Sequence, residues 1–593
     1  MANLCDEGVA HMPNDKGGEA AAEQEPGPYY GGPLGAGIDW ADPNSPLARW
    51  YFSSAGVAAA GLLGIALYLL SAMPLMHTDF WSHLKYGEWI VSHRTLPAVE
   101  PLCPFTDKER PFFDAMWLSQ VVYYSVFRAG ASLAGQSDLR RLEGGVEAIR
   151  LLHAVVGVIV LGLFAWSVRQ GSGSAAWGTG AVIYGLVMLL PLLVVQRPQT
   201  LAFLPFMSSL VLLRPWIGEE KTASARVLWL FPLLMVVWAN LHGSFVIGLL
   251  LAAMAVVSGW LREIGHKRGS LSRWWSHRPL RSWTLSLMIS VGAIALLNPY
   301  GPRLYLHVLE FGAHPNLRTM AEWQPLEWTW GPGGHWSYVL LAAMLLVTLG
   351  ITRRLGGIFP VLLLLTFGLW PLFQQRMMAW WAPLAFWIMA PVWTAWAQER
   401  SWSWKAGIPS FRKTALAGLI VIVAFIAAPA SFWLKAGRPR PFASALYPAT
   451  PYGVARAIRG EDPGDSGRAR MLAQALKTAG IASPPGPVFC SERQGEYLLW
   501  ALPADRPVMM FNHAQLFTTE HWSRCLAVKE GEPGGEAILQ QYGAVWIVVE
   551  THYHPQLCSL IRQHPQWKVV LDEEGVRELP PDARLFVAVR QSR

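Results

Sequence analysis

Eleven long apolar runs constrain the fold of this chain more than any other feature of its sequence. Each run is roughly 16–22 residues long, which is the length at which a helix crosses the hydrocarbon core of a bilayer. The runs cover residues 55–75, 150–168, 176–195, 200–216, 227–246, 247–262, 283–299, 337–352, 357–373, 378–397 and 414–435. Only 15% of the 593 residues are charged, whereas soluble proteins carry about 25%. The sequence therefore predicts a polytopic α-helical membrane protein with about 11 transmembrane helices.

Lysine and arginine are unevenly distributed between the loops that join these runs. If the N-terminus is cytoplasmic, the loops at 262–281 and 400–413 lie inside, and they hold many of the cations. The positive-inside rule then places the C-terminus outside. The net charge of +8 follows in large part from this alternation, so no nucleic-acid partner is predicted.

Composition divides the chain into three parts. Residues 1–50 are rich in glycine, proline and acids without apolar periodicity, which is typical of a disordered tail, here cytoplasmic. Residues 51–435 contain the predicted spans and two long outer loops, 76–149 and 298–336. Residues 436–593 alternate short apolar runs with helical patterns, which predicts an extracytoplasmic α/β domain.

Five short runs in the last part are predicted strands, and two segments between them are predicted helices. The strands are 488–490, 508–511, 545–550, 568–571 and 585–589, and the helices are 535–542 and 555–563. Three of the five cysteines, Cys490, Cys525 and Cys558, fall in this domain. One disulfide among them is left open, because spacing alone does not assign a pair.

Polar and ionisable residues are concentrated at the predicted outer ends of the spans. Such groups are costly near hydrocarbon and therefore indicate function. The candidate catalytic acids are Asp79, Asp114 and Glu322, and the candidate substrate-binding residues are His83, Trp117, Arg197, Asn240, His242 and Arg376. No C-x-x-C or comparable metal motif is present, so the cofactors and metal ligands stay unknown and a divalent cation is left open.

These residue types suit group transfer from a phosphate. A carboxylate such as Asp79 can take the proton of an acceptor hydroxyl or amine. Arginines such as Arg197 and Arg376 can bind a phosphate leaving group through planar, bidentate contacts. Tryptophan rings at the interface can stack on a sugar or contact a lipid tail.

Each candidate also has a structural interpretation. Asp79 precedes a predicted helix and can be its N-cap. His83 and His242 can be hydrogen-bonded structural histidines instead of substrate or metal ligands. Arg197 and Arg376 can extend from helix ends toward the interface. The many tryptophans are interpreted mainly as an interfacial belt.

Several short strings resemble the GT-C superfamily of membrane glycosyltransferases, within an uncharacterised bacterial branch. They are Asp79-Phe-Trp-Ser-His-Leu-Lys-Tyr-Gly-Glu-Trp-Ile, Trp117-Leu-Ser-Gln, Arg197-Pro-Gln, Trp238-Ala-Asn-Leu-His-Gly, Asn298-Pro-Tyr-Gly, Glu322-Trp-Gln-Pro, Gly495-Glu-Tyr-Leu-Leu-Trp and Tyr542-Gly-Ala-Val-Trp. The superfamily includes the protein mannosyltransferases and aminoarabinose transferases. The chain departs from the pattern because no second acid adjoins Asp79, and Gln120 stands where another acid is expected.

The resemblance implies an inverting glycosyltransferase of the bacterial inner membrane, with Asp79 as the base. Its implied partners are a polyprenyl-phosphate-linked sugar, membrane lipid, and an envelope glycan, lipid or protein acceptor. A protein partner of residues 436–593 is a further expectation. The alternative is a non-catalytic scaffold subunit that retains the GT-C architecture.

Overall fold

The structure is a computed structural model. It describes residues 51–76, 79–216, 227–265, 278–327, 336–353, 356–402, 407–435, 437–462 and 466–591. The predicted tail at 1–50 and the pair His77 and Thr78 lie outside the described residues. Residues Tyr51–Arg593 form one compact unit.

Helices account for most of the described residues between positions 51 and 435, as the apolar runs require. They are α1 Ser54–Ala72, α2 Phe80–His93, α3 Trp117–Leu133, α4 Asp138–Ser172, α5 Ala175–Met188, α6 Leu190–Leu193, α7 Pro198–Leu213, α8 Val227–Leu241, α9 Phe245–Gly265, α10 Arg278–Leu297, α11 Arg303–Ala313, α12 Trp336–Thr352, α13 Ile358–Phe367, α14 Met378–Glu399 and α15 Phe411–Ala427. Each predicted span overlaps one of these helices. The prediction of a polytopic helical membrane protein is confirmed.

Four helices in the described ranges are long and apolar enough to cross a membrane on length and composition alone. They are Ser54–Ala72, Asp138–Ser172, Phe245–Ile264 and Pro279–Leu297. Several other helices are apolar but shorter, so the count of about 11 spans stays a prediction. Large apolar side chains such as Trp229, Leu296 and Leu309 remain exposed on the outside of the bundle, as lipid-facing residues would be.

The first predicted outer loop, 76–149, is mostly helical. It contains α2, α3 and the first twelve residues of α4, which begins at Asp138 after its N-cap Ser137. The charged segment of α4 that precedes the apolar run can stay helical because its buried carboxylate forms ion pairs. Arg150 contacts Glu147 at 3.2 Å, and Arg440 contacts the same carboxylate at 2.5 Å. The helix therefore starts well before the apolar pattern does.

The C-terminal part is a mixed four-stranded sheet with helices, as expected for an α/β domain. It comprises α16 Phe442–Ala445, α17 Tyr452–Arg459, α18 Gly467–Thr478, β1 Val488–Cys490, α19 Glu492–Ala501, α20 Thr519–Lys529, α21 Gly535–Gln541, β2 Trp546–Glu550, α22 Pro555–Gln563, β3 Trp567–Asp572 and β4 Leu585–Arg590. The strand order is β1-β2-β4-β3. Strands β1 and β2 are parallel, and β4 is antiparallel to both neighbours.

Two details of the predicted domain differ from the structure. Residues 508–511 are not a strand, since only Val508 forms an isolated bridge, to Val488. Cys490, Cys525 and Cys558 are buried free thiols, so the disulfide left open by the sequence is not formed. Cys490 Sγ instead contacts the carbonyl oxygen of Met510 at 3.4 Å.

Aromatic side chains of α2 attach the C-terminal domain to the helical bundle. Trp81 is fully buried, and its ring centroid lies 4.9 Å from that of Tyr497 and 4.6 Å from that of Trp500. Phe80 is also fully buried and contacts Tyr123. The interpretation of tryptophans as an interfacial belt is therefore wrong for Trp81: Phe80 and Trp81 are core residues between α2, α3 and α19.

Close backbone approach at Gly495 fixes the position of α19. A Cβ atom at this residue would lie 2.0 Å from the carbonyl oxygen of Met510. Only glycine permits this distance, and it brings the N-terminal half of α19 against the chain at 510–512. A similar approach at Gly87, where a Cβ would lie 2.2 Å from the carbonyl oxygen of Gln120, joins α2 to α3.

Substitution of Gly495 by alanine is expected to destabilise the protein. Forcing a methyl group into this contact costs about 2 kcal/mol, which exceeds the gain of about 1 kcal/mol from the better helix propensity of alanine. We expect a lower melting temperature for purified G495A than for the wild type. The control is G467A, because a Cβ at Gly467 meets nothing within 4 Å; equal melting temperatures for the two variants would contradict the packing argument.

Candidate functional site

Asp79 lies at the start of α2, but its side chain does not cap the helix. It occupies the N-cap position without a side-chain hydrogen bond to the helix. Its backbone oxygen accepts from the Ser82 hydroxyl at 2.9 Å. The carboxylate instead accepts a hydrogen bond from Asn512 Nδ2 at 2.9 Å, and its Oδ2 lies 3.8 Å from Arg197 Nε. The carboxylate is therefore available for interactions outside its own helix.

Two arginines and two carboxylates form a continuous ionic cluster at this end of the bundle. Arg197 Nη1 lies 2.8 Å from Glu322 Oε2, and Arg376 Nη1 lies 3.5 Å from Glu322 Oε1. Arg376 also stacks over the ring of Trp323 at 4.2 Å. We call Asp79, Arg197, Glu322 and Arg376 the ionic cluster. Its side chains are between 21% and 38% exposed, so a ligand can reach them.

Short loops and turns position the members of the ionic cluster. Arg197 precedes Pro198, the first residue of α7, and its carbonyl oxygen accepts a hydrogen bond from Tyr123 Oη at 2.7 Å. Glu322 and Arg376 lie in two 3₁₀ turns. These turns are joined by Gln375, whose backbone N–H donates to the carbonyl oxygen of Gln324 at 3.0 Å. Four chain segments thus converge on one site.

The arginines keep both carboxylates of the cluster ionised. Burial is the largest single influence on the pKa of Asp79 and raises it, but Arg197, His513, the Asp79 backbone and Asn512 together outweigh burial, and the pKa is lowered. Burial likewise opposes Arg376 and Arg197 at Glu322, and the pKa of Glu322 is lowered as well. Two positive and two negative charges therefore balance in this cluster.

His242 borders the cluster as a neutral imidazole. Its Nδ1 accepts the backbone N–H of Ser244 at 3.0 Å and lies 2.8 Å from the Ser244 hydroxyl. This arrangement assigns the ring proton to Nε2. The described residues provide no hydrogen-bond partner for Nε2, so this N–H is a donor available to a ligand.

Asp114 and His83 belong to a separate buried network. Gln120 Nε2 lies 3.0 Å from Asp114 Oδ1 and 3.1 Å from His83 Nδ1. The backbone N–H of Asp114 donates to Tyr300 Oη at 2.9 Å. Burial lowers the pKa of His83 well below its usual value and raises that of Asp114 to about 7. Both residues are almost completely buried, and the network joins His83 of α2 to Gln120 of α3.

Trp117 and Asn240 form a hydrogen bond with each other. Trp117 Nε1 donates to Asn240 Oδ1 at 3.0 Å, and Asn298 Nδ2 donates to the same oxygen at 3.1 Å. Asn240 Nδ2 in turn donates to the carbonyl oxygen of Val236 at 2.8 Å. The polar atoms of this pair are therefore used to join α3, α8 and the end of α10.

Substitution of Asp114 by asparagine is expected to change how stability depends on pH. A carboxyl group with a raised pKa holds its proton in the folded state, so wild-type stability falls from about pH 4 to about pH 7 and levels off above. Because D114N lacks this loss, its free energy of unfolding should increase by about 4 kcal/mol relative to that of the wild type across that window. Thermal unfolding at several pH values measures the difference. The exposed Asp138→Asn provides the control, and a D114N difference that is independent of pH would contradict the burial argument.

Two side chains of the C-terminal domain complete the cluster and were not identified from the sequence. Asn512 donates to Asp79 as described, and its backbone N–H donates to Glu496 Oε1 at 2.9 Å. Glu496 is fully buried, and its Oε2 has no hydrogen-bond partner. A local signal was present: Ser491 accepts from the backbone N–H of Gln494, and this Ser-x-x-Gln spacing predicts the start of α19. The contact with Asp79 spans 433 residues and has no local signal.

Within the described ranges, no group of three or more His, Cys, Asp or Glu side chains is arranged to hold a metal ion. Carboxylates in the ionic cluster are matched with arginines instead. The arrangement can bind an anion through the arginines, accept a proton at Asp79 and donate a hydrogen bond from His242. Those capacities suit transfer of a group from a phosphate to a nucleophile.

No protein-family model matches the chain, and a search of curated proteins finds no match in sequence. Several solved structures are similar in fold. The ArnT protein of Cupriavidus metallidurans bound to undecaprenyl phosphate is 13% identical with a TM-score of 0.44, covering 90% of this chain and 97% of that one. Its apo form is 13% identical with a TM-score of 0.43, covering 88% and 95%.

The arabinofuranosyltransferase AftD from Mycobacteria is 15% identical with a TM-score of 0.46. The match covers 92% of this chain and 42% of AftD, so this chain corresponds to less than half of that protein. At these identities the likeness concerns overall fold alone.

Proposed function

We propose that the protein is a membrane glycosyltransferase that moves a sugar from a polyprenyl-phosphate donor to an envelope acceptor, at the outer face of the bacterial inner membrane. The observation that supports this function is the ionic cluster. It places a carboxylate that is ionised at neutral pH within 3.8 Å of an arginine that also contacts Glu322. Base and phosphate-binding group would thus stand side by side at one end of an apolar helical bundle.

In the proposed reaction Asp79 accepts the proton of the acceptor hydroxyl or amine. The acceptor atom bonds to the anomeric carbon while the bond from that carbon to the phosphate oxygen breaks. The phosphate leaves with the electron pair, and the proton ends on Asp79. Attack from the face opposite the leaving group would invert the anomeric configuration. Arg197 keeps Asp79 ionised before the reaction, and its engagement by phosphate would then free Asp79 to take the proton.

Arg197 and Arg376 are the proposed phosphate-binding residues. Each contacts the Glu322 carboxylate through one Nη1 atom, and Arg197 Nε has no hydrogen-bond partner. A donor phosphate would replace part of these contacts and receive planar, charge-assisted hydrogen bonds. The free Nε2–H of His242 would add a neutral donor to the same anion. The role of Glu322 would be to hold the two arginines together until the phosphate binds.

A transfer assay tests the proposed function directly. The purified full-length protein in lipid nanodiscs is given a panel of sugars linked to undecaprenyl phosphate, with cell-envelope extract as acceptor. We expect release of undecaprenyl phosphate with at least one sugar. Failure of every donor to react, together with failure of undecaprenyl phosphate to bind, would contradict the proposal.

A scaffold function is the second candidate, and one observation favours it. Because Glu322 pairs with both arginines, the cluster is neutralised without any ligand. A scaffold would purify from membranes as a stoichiometric subunit of a complex, attached through the domain at 436–593. Co-purification with fixed stoichiometry, without transfer or lipid-phosphate binding, would favour this function over catalysis.

A further inference from the structure

We infer that Glu496, which the C-terminal domain brings to the site, is a further carboxyl group beside the ionic cluster and a positioning residue for Asp79. The role of Glu496 in donor binding rests on the proposed function, whereas the unfolding experiment below does not depend on that function. Glu496 holds the backbone of Asn512, and the Asn512 side chain holds the Asp79 carboxylate. One asparagine therefore connects the two acids, with a distance of 2.9 Å at each contact.

The surroundings of Glu496 oppose a charge on it. The side chain is fully buried, and Oε2 has no close hydrogen-bond partner. The nearby hydroxyl and backbone N–H of Ser82 favour the ionised form but do not outweigh burial. Burial, followed by the negative charge of Asp79, raises the pKa of Glu496 to about 8. The pKa of Asp79 moves the other way. Two neighbouring carboxyl groups whose pKa values are pushed apart share one negative charge at neutral pH, which here resides on Asp79.

The charged groups near Glu496 are few. Asp79 precedes α2. Arg197 precedes α7, and the negative charge of Glu496 helps to raise the pKa of Arg197. From β1 comes only the buried thiol Cys490. His83 of α2 and His513, next to Asn512, are buried imidazoles whose pKa values are lowered by burial. The arginines of α17, Arg456 and Arg459, are directed to Asp462 and to the end of α19 at Ala501. No cation in the described residues forms an ion pair with Glu496, so ionisation would add an uncompensated negative charge beside Asp79.

That added charge would have a defined effect on an anionic donor. With Glu496 protonated, the ionic cluster has no net charge and can accept a phosphate at its arginines. With Glu496 ionised, the cluster would carry an excess negative charge and would repel the phosphate. Glu496 thus has two effects: it positions Asp79 through Asn512, and its proton sets the charge that the donor meets.

The test compares Glu496→Gln and Glu496→Ala with Glu492→Gln in the full-length protein in nanodiscs. Glutamine keeps the oxygen that accepts from Asn512 but cannot ionise. Glu492 lies one turn earlier in α19 and pairs with Lys529 at 3.1 Å, so E492Q removes a charge of the same helix without touching Asp79.

The first measurement is thermal unfolding between pH 5 and pH 9, which requires no ligand. A carboxyl group with a raised pKa stabilises the folded state at low pH, and this contribution is lost as the pH rises toward the folded-state pKa. We expect the melting temperature of E496Q to rise relative to that of the wild type from about pH 5 to about pH 8. Above that pH the difference between the two melting temperatures should stay constant. A difference that does not vary with pH would overturn the inference, whether or not the protein transfers sugar.

The second measurement is the affinity for undecaprenyl phosphate at pH 7 and pH 9. The lipid gains charge over this range for every variant, so only differences between variants count. Wild type and E492Q should lose about tenfold more affinity than E496Q as Glu496 ionises. Identical pH dependence in all three would overturn the role in donor binding. If none of them binds the lipid, the proposed function fails, while the unfolding series still decides whether Glu496 holds its proton in the folded protein.

E496A separates positioning from charge. It removes the acceptor for the Asn512 N–H, so the Asp79 side chain should lose its support and transfer at pH 7 should fall well below that of E496Q. Equal transfer by E496A and E496Q would show that Glu496 does not position Asp79. If E496A does not fold, the E496Q series alone decides the charge coupling.

Discussion

Replacement of Asp79 by asparagine is expected to lower sugar transfer by about 10³-fold, the range typical of losing a positioned general base. Asparagine has nearly the same shape, and its side-chain oxygen can still accept the hydrogen bond from Asn512 Nδ2. The variant should therefore fold and insert normally. The affinity for undecaprenyl phosphate should fall little, because the arginines that bind the phosphate remain. Transfer from a radiolabelled polyprenyl-phosphate sugar measures the effect.

The matched control for D79N is Glu88→Gln in the same helix. Glu88 forms an exposed ion pair with Lys85 at 3.2 Å, which is worth little to stability. E88Q should transfer sugar at the wild-type rate. If D79N and E88Q give the same product profile, Asp79 is not the base.

Replacement of Arg197 has the second large expected effect. Arg197 contacts both Asp79 and Glu322, so R197A removes a phosphate ligand and leaves two carboxylates less well compensated. Loss of a charge-assisted hydrogen bond costs about 2 kcal/mol, and we expect undecaprenyl phosphate to bind roughly 30-fold more weakly. The pKa of Asp79 should also rise once its main cation is gone, which lowers the ionised fraction at acidic pH.

Two further variants make the Arg197 result specific. R197K keeps the positive charge but not the planar pair of donors, so its affinity should fall between those of the wild type and R197A. Arg318→Ala removes an exposed arginine from the loop before Glu322 and should leave lipid binding unchanged. Equal lipid affinity for R197A and R318A would exclude Arg197 as a phosphate ligand.

The sequence predicted the helical bundle well because membrane helices carry a strong apolar signal. Helix α4 shows where that signal fails. The helix begins at Asp138, before the apolar run, and its buried Glu147 is paired with Arg150 and with the distant Arg440. Residues 508–511 show the reverse: an apolar run looks like a strand, but its backbone at Met510 packs against Gly495 of α19. Tertiary contacts decided both cases.

The members of the ionic cluster were candidates from the sequence because each stands at the end of a predicted span. What the sequence did not contain was their pairing. Glu322 looked like a helper acid, yet its carboxylate binds both arginines. Asp114 was grouped with Asp79, but the fold places it in the buried network of Gln120 and His83. Glu496 stayed hidden because its link to Asp79 is made through Asn512, in another domain of the chain.

The most direct test of the central claim is a cryo-EM structure of the full-length protein in nanodiscs with undecaprenyl phosphate. We predict phosphate density in contact with Arg197 and Arg376, within reach of the Asp79 carboxylate, with Glu322 displaced from at least one arginine. The same density should weaken in R197A. Phosphate bound away from this cluster, or no bound lipid at saturating concentration with Glu322 still pairing both arginines, would contradict the account.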